Sequence, residues 1–362
     1  MARPAFAKRP PPLLGQPRKP LAAPGMKKSI LFLLPFLGIS LNAANYVVQP
    51  ANAQTVINAS SSGDVIRFLP GSYGDLTVVN KDLSFRNNGQ TPATIGNVEA
   101  NGSTLRLVRF QAATVNVNDL PGKPANLIVT QGSYGRITSN ASNTRVSYCT
   151  LNFLVLSGKG IVTGCEFKGN VNLFPGVSVG GGIGIDVHGA NTHAAIHNSH
   201  VHNYKLNAAH GQNITEQCIG IRVRDGAKAE IRNNLINGCK DTSYHASETD
   251  CGMGVFVKTG SHAVVLGNVI WDCYVDRGGD LRGDRLVYAP IDSVCRHNVL
   301  WKNTSHSDHV NAALVGGGVI PADNVNLEHT QDPKFVGGGD YHLQATSPCI
   351  NAGPPDPQYN DR

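Results

Sequence analysis

A seven-residue segment recurs three times in the middle of this chain. Its copies are Gly182–His188 (GIGIDVH), Cys218–Arg224 (CIGIRVR) and Gly252–Lys258 (GMGVFVK). Each copy runs into a glycine turn at Gly189, Gly226 or Gly260, and a second short apolar segment follows. Those second segments are Ile196–Val201, Ile231–Ile236, Val265–Ile270 and Cys295–Leu300. Aligned, they place Ser199, Asn234, Asn268 and Asn298 in one column, at spacings of 35, 34 and 30 residues. Val146–Leu151 and Val162–Phe167 fit the same frame and put Cys149 and Cys165 in that column. A fixed period of this size marks a solenoid, in which each unit buries its apolar face only against its neighbours.

The units are strands. Alternation sends Ile183, Ile185 and Val187 to one side, with Ile219, Ile221, Val223 and Met253, Val255, Val257. These are the expected interior. A repeated interior asparagine can pair its amide with the coil above and below. The 40 glycines and 33 asparagines among 362 residues disfavour helix interiors and suit tight turns.

The repeat resembles the parallel β-helix of the pectin-lyase-like superfamily over about residues 46 to 350. The segment Gly63–Tyr73 looks like the usual entry to the first coil, with residues 51 to 59 as a capping helix. Asp332–Val336 and Tyr341–Ile350 are similar to the last coil of exported bacterial members. The resemblance implies an all-β chain: a single right-handed parallel β-helix solenoid with an N-terminal capping helix. It does not specify activity, because the superfamily includes polysaccharide lyases, glycoside hydrolases, epimerases and non-catalytic adhesins.

Met26-Lys27-Lys28, an apolar run from Ile30 to Leu41 and the exit Asn42-Ala43-Ala44 have the layout of a secretory signal peptide. Cleavage is expected near Ala43 or Ala44, which places the protein outside the cell or in the periplasm. The alternative is a membrane anchor, although the run is short for one. The expected organisation is 1–25 unstructured or mis-assigned start, 26–44 signal peptide and 45–362 β-helix. The whole chain carries a net +6, but residues 1 to 44 hold seven basic and no acidic residues. That leaves 24 basic against 25 acidic residues, a net −1, which speaks against nucleic acid as a partner. After cleavage no membrane partner is expected, and the chain reads as a monomer.

Export permits disulfides. Cys239 and Cys273 share a column of adjacent coils, about 4.8 Å apart and within disulfide reach. Cys218 and Cys251 lie one position out of register. The alternative is a stack of buried free thiols acting as small hydrophobes.

The outward positions form one column of Asp186, Arg222 and Phe256, and another of His188, Arg224 and Lys258. Stacked cations suit an anionic sugar chain, with guanidinium forks taking its carboxylates. The alternative is a solvated face in which Asp186 and Arg222 form a cross-strand ion pair. Three long connections, 203–217, 240–250 and 274–284, stack beside these columns and supply Lys205, His210, Tyr244, His245, Asp250 and Asp276. Six histidines fall between His188 and His210, but alternation sends His200 and His202 to solvent. A calcium site through Asp186 and Asp250 is possible chemistry, since calcium takes several oxygens.

The leading expectation is a lyase acting on an acidic, uronate-containing polysaccharide by β-elimination. Arg222 and Arg224 would neutralise the uronate carboxylate. Lys258, His188 or His245 would take the proton α to it, while Tyr244, His210, Lys205 and Phe256 would bind the chain. A C5-epimerase would use the same groups. A hydrolase would need paired carboxylates, for which Asp186 has only Asp250 or Glu248. A non-catalytic glycan-binding or adhesion module needs only the solenoid and a polar face.

Overall fold

In a computed structural model, the described residues are 43–169, 182–206, 218–241, 252–275, 287–290, 292–301, 304–305, 313–315, 325–326, 332–337 and 340–350. The leader and residues 1–25 lie outside them. The chain coils into stacked parallel sheets. One sheet has eleven strands, running from Asn45–Val48 and Val65–Phe68 through Lys228–Arg232 to His262–Leu266 and Val294–Arg296, with each strand parallel to the one before.

A second wall begins with the short strands Ser72–Tyr73 and Leu76–Val79 and continues in single long strands, Thr94–Asn101, Gln111–Asn118, Ser133–Asn140 and Thr150–Leu156. These strands bend because their alternation slips. In Thr94–Asn101, Ile95 and then Val98 are buried with two non-buried residues between them. Beyond Thr150–Leu156 the wall forks into two sheets. One runs Gly182–His188, Cys218–Arg224, Met253–Val257, Val287–Ala289; the other runs Glu166–Lys168, His200–His202, Leu235–Asn237, Val269–Trp271. The coil lengthens at the same place: facing residues are 17 or 22 apart before the fork, whereas Asp186 and Arg222 are 36 apart and Glu166 and His200 are 34 apart after it. The added chain forms the long connections and a small sheet containing Lys205–Leu206 and Lys240–Asp241.

The short helix Ala53–Ala59 closes the first coil, burying Ala53 and Ile57. Gln54 there substitutes for a missing neighbouring strand. It accepts from the Thr77 amide at 2.9 Å and donates to the Thr77 carbonyl at 3.0 Å. The C-terminal end differs from a further parallel coil. Phe335–Gly337 pairs antiparallel with Asp340–Leu343, the chain turning at Gly337 with φ +92°.

The Asn column forms a hydrogen-bonded ladder. Asn268 donates from Nδ2 to Asn298 Oδ1 at 3.0 Å and accepts on Oδ1 from the Asn234 amide at 2.9 Å. Ser199 accepts from the Cys165 amide through Oγ, which continues the ladder into the cysteine positions. Ile185, Val187, Ile221, Val223, Val255 and Val257 lie in the main core. Ile183, Ile219 and Met253 do not, contrary to simple alternation. They form a separate cluster with Phe256.

Glycine causes that slip. Between the apolar pairs lies the column Gly184, Gly220, Gly254. A Cβ on Gly184 would stand 2.7 Å from the Gly220 carbonyl oxygen, and one on Gly220 would stand 2.6 Å from that of Gly254. Gly220→Ala is therefore expected to force two coils apart and cost about 2 kcal/mol, in the range of core overpacking. Chemical denaturation checks this; a loss below about 0.5 kcal/mol would show that the column can relax.

Candidate functional site

The sheet built on the seven-residue repeat brings the two charged columns together. Asp186 faces Arg222, and His188 faces Arg224; Arg222 in turn faces Phe256. The Lys258 amide donates to Val223 O at 2.8 Å, which places Lys258 at the strand end next to Arg224. Asp186 is 6% exposed and holds both arginines. Arg222 donates from Nε to Oδ1 at 3.0 Å and from Nη2 to Oδ2 at 2.9 Å. Arg224 donates from Nε to Oδ1 at 3.2 Å and from Nη2 to Oδ2 at 3.0 Å, and it also contacts Asp225. Burial pushes the Asp186 carboxyl up, but the two guanidiniums outweigh it and hold it below the ordinary carboxylate range. The Arg224 guanidinium is stabilised in its charged form, chiefly by its hydrogen bond to Asp186.

This triad alters three expectations. The repulsion between the stacked arginines is relieved from within, because one buried carboxylate lies between them. Both oxygens of Asp186 receive guanidinium donors, so calcium would have to displace two arginines; the carboxylate as arranged does not fit that ion. Phe256 is buried with Ile183, Ile219 and Met253 instead of being presented to a ligand. Lys258 is exposed, while His188 and Lys205 are half-buried. His210, Tyr244, His245, Glu248, Asp250, Cys251 and Asp276 lie outside the described residues.

Cys239 and Cys273 are buried thiols that no disulfide joins. The Cys239 thiol is pushed well up by its hydrogen bond to Cys273 and by burial. The expected bond between them is not formed. Cys218 is also buried, as are the thiols of Cys149 and Cys165. All are lodged in the interior, where a thiol packs as a small hydrophobe.

His200 and His202 are not left to solvent. They stack at 4.0 Å between ring centroids, 12° from parallel. His200 Nε2 lies 2.8 Å from Asn237 Oδ1, and His202 Nε2 lies 3.0 Å from Glu166 Oε1. Burial lowers His200 to about 4 and also lowers His202, so both rings are neutral at pH 7. The signal was available in the sequence: Glu166 follows Cys165 as His200 follows Ser199, and Cys165 and Ser199 share the ladder column.

A second polar surface lies on the eleven-stranded sheet. A groove of about 990 Å³ there is lined in part by Arg106, Arg145, Lys159 and Lys228, with Glu230 as its acidic residue. Sequence reasoning passed over it because these cations sit outside the conspicuous repeat.

The fold these observations define is the pectin-lyase-like parallel β-helix. Among solved structures the chain is similar to pectate lyase Pel9A, at 12% identity and a TM-score of 0.54, covering 89% of this chain and 94% of that one. It is also similar to an alginate lyase from Paenibacillus sp. str. FPU-7, at 13% identity and a TM-score of 0.37, over 76% and 98% of the two chains. No family sequence model and no curated protein sequence matches. The likeness therefore establishes the fold alone.

Proposed function

We propose that the protein is an exported enzyme, secreted or periplasmic, that cleaves an acidic, uronate-containing polysaccharide by β-elimination. The observation that carries this reading is the arginine pair locked bidentately on buried Asp186 beside exposed Lys258. A substrate carboxylate needs cations already oriented, because reorganising them during the reaction would cost rate. Asp186 supplies that orientation, acting as a positioning residue whose own oxygens are taken. Arg224 is the more exposed of the pair, with 28% of its side chain accessible against 16% for Arg222. It presents positive charge to the uronate, and Lys258, entering the step as the neutral amine, takes the proton α to the carboxylate. The carbanion left behind forms a double bond to the neighbouring carbon as the bond to the glycosidic oxygen breaks, and that oxygen leaves as an alcohol with a proton from water.

Incubation with pectate, alginate and glycosaminoglycans, with and without calcium, tests this through the ultraviolet absorbance of the unsaturated uronate. Lys258→Ala is expected to lower the rate at least about 100-fold, the usual span of a general base. Arg224→Ala should lower kcat as well as raise KM, because the guanidinium offsets charge that develops on the carboxylate during the reaction. The second reading, a non-catalytic glycan-binding module, is favoured by the groove with Arg145 and Lys159. Absorbance and reducing ends that stay unchanged, with binding that is lost in Arg145→Ala/Lys159→Ala, would put that reading first.

A further inference from the structure

We infer that Glu166, His200 and His202 form a binding site for a divalent transition-metal ion of the zinc class. One ligand atom from each residue lies within 4.8 Å of the others. Glu166 stands on one coil and the two histidines on the next, with Glu166 facing His200 and Lys168 facing His202. Ligands about 2.05 Å from a tetrahedral ion sit roughly 3.3 Å from each other. The His202 Nε2 to Glu166 Oε1 separation of 3.0 Å already meets that spacing, so His200 has the remaining distance to close.

The chemistry of the donors selects the ion. Two imidazoles and one carboxylate suit zinc, cobalt, nickel or copper, whereas calcium and magnesium want oxygen alone. Three protein ligands leave a fourth position for water. Supporting contacts are in place as well. Asn237 Oδ1 lies 2.8 Å from His200 Nε2 and fixes the orientation of that ring. Asn203 Nδ2 lies 2.8 Å from His202 Nδ1. An end-for-end turn of that amide lets its oxygen accept from Nδ1–H, which frees Nε2 for the metal. Lys168 opposes a cation here, and the Glu166 carboxylate offsets it. The site sits away from the Asp186 triad, on the other branch of the forked wall, and does not depend on the glycan reading.

Both tryptophans of the chain lie in the column that continues from His202 through Asn237 to Trp271 and Trp301. Trp271 stacks over His200 at 6.4 Å. Cobalt(II) is therefore the probe of choice. Titrated into the untagged, chelator-treated protein, it should give one equivalent of visible absorbance characteristic of four-coordinate cobalt. Tryptophan emission should be quenched in parallel, and zinc should reverse both. Glu166→Gln, at a half-exposed position where folding is not at stake, should weaken binding at least tenfold, as should His202→Gln. Asn237→Leu should weaken it about 10- to 100-fold through loss of the supporting contact. Cobalt binding of unchanged affinity in Glu166→Gln and His202→Gln, or a six-coordinate spectrum without quenching, would overturn the assignment.

Discussion

Asp186→Asn is expected to destabilise the protein by about 3 kcal/mol, near the lower end of what removing one partner of a buried ion pair costs. Asparagine keeps the shape and loses the charge, so both guanidiniums lose the carboxylate they share. The effect falls short of the upper range because Arg224 remains partly solvated and Asp225 still touches it. The double replacement Asp186→Leu/Arg222→Leu should recover part of the loss, since both members of the bidentate pair go together and Arg224 retains Asp225. Because a solenoid can open coil by coil, hydrogen exchange across Gly182–His188 and Cys218–Arg224 is the better measurement, with urea unfolding beside it. The pH dependence has a fixed direction. The folded carboxyl titrates below its unfolded value of about 3.9, so its contribution is complete above that pH. It is lost as pH falls through the folded value. A loss below 1 kcal/mol for Asp186→Asn would mean that the triad behaves as a solvated surface pair.

The sequence made the coil legible because its strongest constraint is local and repeated. The Asn column, the cysteines that join it and the Asp186–Arg222 and His188–Arg224 registers all follow from aligning short segments, and the structure places them so. Failures occurred where three-dimensional geometry breaks a periodic rule. Ile219 and Met253 are buried as expected, but with Ile183 they pack apart from the main core, because the glycine column lets backbones close up and shifts the alternation by one. Arg224 reaches diagonally to Asp186, a contact set by side-chain conformation and invisible to strand pairing. The Glu166–His200–His202 cluster was available in the register, but alternation assigned those histidines to solvent. An outward position on a sheet can still be half-buried when Trp271 and Asn237 stand on the next coils.

Asn268→Ala is expected to cost about 4 kcal/mol, the other large effect. Asn268 is fully buried and carries four side-chain hydrogen bonds. It donates from Nδ2 to Ile231 O at 2.8 Å and to Asn298 Oδ1 at 3.0 Å. On Oδ1 it accepts the Asn234 amide at 2.9 Å and Asn234 Nδ2 at 3.0 Å. Alanine removes all four and leaves the Asn234 backbone N–H and the Ile231 carbonyl without these partners in a dry interior. Each such buried group costs about 1–3 kcal/mol, which exceeds the net worth of the bonds themselves. Asn268→Ser separates the loss of hydrogen bonds from the loss of volume. Ser199 occupies the same column and accepts the Cys165 amide through its hydroxyl at 3.2 Å, so serine can serve the Asn234 amide likewise. It cannot span to the next coil as the carboxamide does. The expected order of stability is therefore asparagine, serine, alanine, with serine recovering roughly half of the loss. The propagation is also specific: hydrogen exchange should rise first at Asn234 and Asn268, at the turns on either side of the break, while the coils before Thr150–Leu156 keep their protection. Serine and alanine variants of equal stability would show that packing, and not the ladder of amides, holds this column together.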